Sequence, residues 1–249
     1  MIGKLKLAGV IAAMTIGTAA NATIATVYDG VTAGVAAFDA TVTGAGATVT
    51  SDIWSGMTSG VSIDRGDYTI TQNDGGSGSV GTYGSLSGQV IGINPTGGGS
   101  DPRTDPLDYF GSGITFTFDS AVNAVGFEVG DWATCCHDPV TELFISFDGG
   151  APILVGSATT FSDGLFPSQT NPLNSVYEIF VAAFDDSGDF TEVSFWGNGI
   201  GEVLHAGGQL RYALLDQGSL PPSGVPSPAP LALMAVGLLG VAWRGRKAS

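Results

Sequence analysis

The chain has 249 residues, 39 of them glycine, and carries 23 acidic against 8 basic side chains, a formal net charge of −15. All 23 acids fall between Asp29 and Asp216, a span whose basic residues are Arg65, Arg103 and Arg211, so this body carries −20 and no lysine. Such a surface repels nucleic acid and anionic lipid and excludes both as partners, while it attracts divalent cations and keeps a glycine-rich protein in solution.

Residues 1–22 read as a secretory signal peptide. Lys4 and Lys6 precede an apolar stretch over 7–20, and Ala20 and Ala22 flank Asn21 as the small residues of a cleavage site. Residues 23–218 then form the exported body, long enough for one sandwich-type core or two small ones. Its cysteines, Cys135 and Cys136, are adjacent. They form a strained vicinal disulfide, stay reduced or bridge to another chain, and none of these staples distant segments. Stability must come from the apolar core, with or without a cation.

The first half of the body, 23–112, is rich in Gly, Thr, Ser and Ala. Short β-like pieces at 24–28, 53–57, 68–72 and 89–93 are punctuated by turn residues, a spacing that suits strands and argues against helices. Segments 73–88 and 96–108 read as long exposed loops. The run Gly76-Ser77-Gly78-Ser79-Val80-Gly81 matches a dinucleotide fingerprint in letters alone, since no helix-forming sequence follows it.

From 113 to 215 the strand signal is clearest. Ile114, Phe116 and Phe118 alternate with polar residues, as do Val125, Phe127 and Val129, with Glu128 directed to the opposite, solvated side. Leu143, Ile145 and Phe147 repeat the pattern, and Asp148-Gly149 offers hairpin-turn chemistry before 153–155. Segments 177–184 and 191–196 flank a polar loop, and Leu210, Tyr212 and Leu214 make a last strand. The expected fold is all-β, an antiparallel β-sandwich or jelly roll, with a signal helix before it and a short hydrophobic helix after it.

Catalytic constellations are sparse. His137 and His205 are the histidines, no Gly-x-Ser-x-Gly elbow or His-Glu-x-x-His helix occurs, and Glu128 and Glu192 lie on the polar sides of their strands. A non-enzymatic role follows. The segment 130–139 is the most unusual in the body. Asp131, Trp132 and His137 there could meet the hydroxyls and the apolar face of a sugar; equally, Trp132 caps the core edge and the cysteine pair stiffens a turn. Asp185, Asp186 and Asp189 place carboxylates at short spacing around Gly188, as in a fragment of a calcium loop or an Asx-rich hairpin turn. A structural Ca2+ at these aspartates is the one cofactor the sequence raises. His205 reads as a loop residue.

A Pro-rich linker spans 219–230, and the tail 225–249 has three parts. Val225, Pro226, Ser227 and Pro228 lie in an extended stretch, an uncharged apolar run covers 231–243, and Arg244, Arg246 and Lys247 follow. At ~1.5 Å per residue the apolar run covers roughly 20 Å, short of a ~30 Å hydrocarbon core. This order of parts resembles the PEP-CTERM sorting signal of exported bacterial proteins, with Ser227 where that family carries glutamate. The resemblance implies export, transient anchoring in the inner membrane, recognition by an exosortase-type sorting enzyme, and delivery to the cell surface or extracellular matrix of a Gram-negative bacterium. The phrasing at 116–127 is similar to the carbohydrate-binding-type sandwiches of many such proteins. Together these imply a non-enzymatic surface or matrix protein associated with exopolysaccharide, or a carbohydrate-binding module or sugar-active enzyme using the Trp132 loop.

Overall fold

A computed structural model of the protein describes residues 24–28, 30–93, 105–131, 141–158, 178–197 and 204–220. In chain order these form β1 (Ile24–Tyr28), α1 (Val31–Gly44), β2 (Thr50–Ile53), β3 (Ser62–Asp64), β4 (Tyr68–Gln72), β5 (Val80–Thr82) and β6 (Gln89–Ile93). A 3-10 turn (Phe110–Ser112) leads into β7 (Ile114–Val122), β8 (Ala124–Gly130), β9 (Thr141–Phe147) and β10 (Ile153–Ala158). The last strands are β11 (Ile179–Phe184), β12 (Phe190–Gly197) and β13 (Leu204–Ala213).

The strands make two antiparallel sheets. One runs β1-β11-β8-β13-β6-β5, with β2 also paired to β13; the other runs β10-β9-β12-β7-β4-β3. Strands from the Gly/Thr-rich half are interleaved with those of the second half: β1 pairs β11, β4 pairs β7, and β6 and β2 pair successive halves of β13. The alternating apolar positions of 113–215 meet between the sheets. Ile114, Phe116, Val125, Phe127, Leu143, Ile145, Val193, Phe195 and Leu210 are buried there together with Trp54, Tyr68 and Ile70. Asp148 (φ 47) and Gly149 (φ 66) form the expected β9–β10 turn, closed by the Gly150 N–H donating to the Phe147 carbonyl. Leu214 lies just past the end of β13 and is exposed, and Leu215 takes the buried place.

Three expectations for the first half of the body need correction. The segment 31–44 is a helix. Its Val31, Val35, Phe38 and Val42 recur at helical spacing, and Phe38 and Val42 are fully buried against Phe180, Phe184 and Leu215 on the outer face of the first sheet. Gly46, at φ 83, ends it: the Gly46 N–H reaches the Thr43 carbonyl and the Ala47 N–H the Val42 carbonyl. With α1 covering part of that face and residues 83–88 the rest, β11 and β8 are buried along their whole length. Second, the strand expected at 53–57 ends at Ile53, and Trp54 and Met57 turn into the core from a loop. Third, 73–88 is not an exposed loop throughout, since it contains β5 and the buried Leu86.

One polar chain ties the sheets together. Trp54 Nε1 donates to the Tyr68 hydroxyl (2.7 Å), which donates to Asp52 Oδ2 (2.6 Å), while Arg65 grips the same carboxylate through Nε and Nη2 (2.9 and 2.7 Å). Burial alone would raise the Asp52 carboxyl, but the bonds from Arg65 and Tyr68 and the Arg65 charge outweigh it and hold it below the usual carboxylate range. Among the described residues no helix is long and apolar enough to cross a membrane.

Candidate functional site

Glu128 stands in the middle of β8, between the buried Phe127 and Val129. Alternation sends its side chain to the outer face, where a solvated carboxylate is expected. Instead Glu128 is 0% exposed. The reason is a strap, residues 83–88, that lies across this face. Ser87 donates its N–H to Glu128 Oε2 (2.7 Å) and its hydroxyl to Oε1, and Gln209 Nε2 donates to Oε1 as well. Gln209 Oε1 in turn accepts from Arg211 Nη1 (2.9 Å), whose Nε and Nη2 hold both oxygens of Asp39 on α1 (2.8 and 2.6 Å). A continuous polar chain thus joins the helix, β13, β8 and the strap. Two glycines make the approach close enough: a side chain at Gly208 (φ 67) would strike the Glu128 carboxylate, and one at Gly88 would strike the backbone of Trp54 and Gly208.

A second carboxylate shares this face. Phe180 lies opposite Glu128 in the β11–β8 register, so Glu178, two residues before Phe180, points the same way. It accepts from both the N–H and the hydroxyl of Ser85. Alternate strap residues therefore fasten to the sheet, Ser85 to Glu178 and Ser87 to Glu128. Between the strap and the start of α1 lies a cleft of about 390 Å³, lined by Gly30, Val31, Thr32, Ala33, Ser85, Ser87 and Glu178.

The strap begins at Tyr83. Its ring lies on Gly130, where a side chain would collide with it, and stacks on His205 with centroids 4.5 Å apart. The Tyr83 hydroxyl donates to Asp131 Oδ1 (3.0 Å). Asp131 directly follows β8 with φ at 62, a left-handed conformation rare outside glycine. His205, expected in a loop, belongs to β13 and pairs with Gly130 and Gly92. Burial pushes its imidazole below the usual histidine range, against the opposing charge of Asp131.

Of the residues singled out in the sequence, Glu128, Asp131 and His205 are placed at this site. Trp132, Cys135, Cys136 and His137 lie outside the described residues, as do Ala20, Ala22, Val225, Pro226, Ser227, Pro228, Arg244, Arg246 and Lys247. The three aspartates of the β11–β12 loop are not gathered on one point. Asp185 accepts from the Ser187 N–H (3.0 Å) and hydroxyl in an Asx turn, buried Asp186 accepts from the Leu220 N–H (2.6 Å), and Asp189 faces Asn123 Nδ2 (3.4 Å). Among the described residues no three His, Cys, Asp or Glu side chains come together as a metal ion requires.

Chemically, the described residues of this face offer hydrogen bonding. Glycoside hydrolysis needs two carboxylates open to one cleft. Glu128 has no solvent side and is held by three donors, whereas Glu178 lines the cleft. Sequence reasoning missed the strap and Glu178's part in it. Its signals were the alternation of Tyr83, Ser85 and Ser87 and an acid placed within an otherwise apolar strand. No protein-family model, curated protein or solved structure matches the chain.

Proposed function

We propose that this is an exported, non-enzymatic display protein of the surface or extracellular matrix of a Gram-negative bacterium. The observation that carries the reading is the segregation of charge. Five of the eight basic residues, Lys4, Lys6, Arg244, Arg246 and Lys247, sit in the two end segments, beside apolar runs suited to export and sorting, and the body between holds every acid and no lysine. The basic cluster Arg244, Arg246 and Lys247, directly after the short apolar run 231–243, keeps that run at the inner membrane until an exosortase-type enzyme reads the Pro226-Ser227-Pro228 stretch. The freed body, a jelly-roll-like sandwich with a hydroxyl-rich acidic surface, then associates with exopolysaccharide. Mass spectrometry of the protein recovered from envelope and extracellular fractions tests this: the chain should start near Thr23 and end after about Pro228. An exported pool that keeps Lys247 overturns the sorting step.

A second reading, a carbohydrate-binding module acting through the loop after β8, is favoured by Asp131. Its left-handed backbone and its bond from Tyr83 fix the point at which that loop leaves the sheet. Defined signals on a glycan array that vanish in Trp132→Ala would favour it over display alone.

A further inference from the structure

The cleft between α1 and the strap carries chemistry that display does not use. We propose that it binds a neutral, hydroxyl-rich ligand, one sugar unit of a polysaccharide. Its volume of about 390 Å³ falls within the range of small-molecule sites. The lining mixes the exposed Thr32, the Ser85 hydroxyl with an acceptor side left beyond its bond to Glu178, and the Glu178 carboxylate with the apolar side chains of Val31 and Ala33, while the Ser87 hydroxyl is engaged by Glu128 and Gln209. Sugars need that mixture, because each ring has hydroxyls that both donate and accept and a C–H face that does neither. Ser85 donates one bond to each Glu178 oxygen and so orients the carboxylate, whose remaining lone pairs can accept from ring hydroxyls.

Other ligand classes fit less well. Among the described residues no lysine, arginine or histidine lines the cleft, and the Glu178 carboxylate there repels an anion. A hard divalent cation requires about six oxygen ligands, and among the described residues one carboxylate lines the space.

This assignment deepens the exopolysaccharide reading above and rests on it for the source of the ligand, not for its chemistry. The test is isothermal titration and saturation-transfer NMR on the full chain with glucose, galactose, mannose, N-acetylglucosamine and cellobiose, alongside inorganic phosphate and calcium chloride. At least one sugar should bind, Glu178→Gln should weaken it by about tenfold or more, and Ala33→Trp should abolish it. Ala33 is exposed, so tryptophan there fills the cleft without entering the core; Thr32→Trp provides a second blocking variant. Absence of binding to every sugar, binding that survives both blocking variants, or saturable binding of phosphate or calcium in place of sugar each overturns the assignment. Cosedimentation with exopolysaccharide separates the two readings. Loss of sugar binding with cosedimentation intact in wild type sinks the cleft and leaves display, whereas sugar binding without cosedimentation does the reverse.

Discussion

Ser87 donates both its backbone N–H and its hydroxyl to Glu128, a carboxylate with no exposure to solvent. Two residues earlier Ser85 makes the same pair of bonds to Glu178, which is only partly buried. Equal bonds in unequal solvent have unequal worth, because water replaces a lost donor at Glu178 and cannot do so at Glu128. Ser87→Ala should therefore destabilise the protein by about 1–3 kcal/mol and Ser85→Ala by less than about 1 kcal/mol in chemical denaturation. Equal losses would mean that the strap does not seal Glu128.

His205 gives the same region a pH dependence. Its folded-state pKa lies below the ordinary value because burial disfavours the imidazolium, with Asp131 opposing. Between the ordinary value of about 6.5 and the lowered folded value, the unfolded chain binds the extra proton, so stability falls as pH falls through that window. Unfolding midpoints from pH 7 to pH 5 should decline more steeply in wild type than in His205→Phe, which keeps a ring to stack on Tyr83. Parallel curves for the two proteins would remove His205 as the source.

The sheets were legible in the sequence wherever alternation was strict. Ile70 between Thr69 and Thr71, and Phe116 between Thr115 and Thr117, fix a face without help from the rest of the chain, and β4 and β6 have the bounds that pattern suggests. The helix was not legible, because Gly34, Thr41 and Thr43 lower intrinsic propensity and the stripe of Val35, Phe38 and Val42 gains its stability by docking on the sheet. Glu128 illustrates a different limit. Alternation gives the face to which a side chain points and is silent about what lies over that face; the cover came from residues 41 positions away.

That docking predicts opposite outcomes for two glycines of one helix. A side chain at Gly34 would collide with Phe180, whereas Gly44 faces open space. Alanine adds about 1 kcal/mol of helix propensity at an interior position. Gly44→Ala should be neutral or stabilising by up to about that amount, since it lies in the last turn. Gly34→Ala should lower the melting temperature despite the same propensity gain. A stabilised Gly34→Ala would show that α1 does not lie tightly on β11.

Burial raises the Tyr68 hydroxyl far above the usual tyrosine range, helped by the bond and charge of Asp52 and opposed by Trp54 and Arg65. Tyr212, bonded to Asp67, is raised for the same first reason. A group that holds its proton more tightly when folded contributes stability below its unfolded pKa of about 10 and loses it as pH rises further. Ultraviolet titration of the native protein should show the same tyrosinate signal near pH 10 in wild type and in Tyr68→Phe, and wild type should lose more stability than Tyr68→Phe between pH 10 and 11. A smaller tyrosinate signal in Tyr68→Phe would show that Tyr68 ionises as an exposed phenol.

The aspartates of the β11–β12 loop separate a structural from a metal-binding origin for their spacing. Asp186 is 1% exposed, and its carboxylate accepts from the Leu220 N–H while its carbonyl accepts from Gly218, so it fastens the segment that follows β13. Leu220 and Leu215 complete the core beneath α1. Asp186→Ala strands the buried Leu220 N–H and should cost about 1–3 kcal/mol. Asp185→Ala opens a solvent-exposed Asx turn and should cost less, about 1 kcal/mol or below. Since each carboxylate already has a protein donor, EDTA should leave the melting curve unchanged. A drop in melting temperature with EDTA that calcium restores, and that Asp185→Ala abolishes, would instead make the loop a cation site.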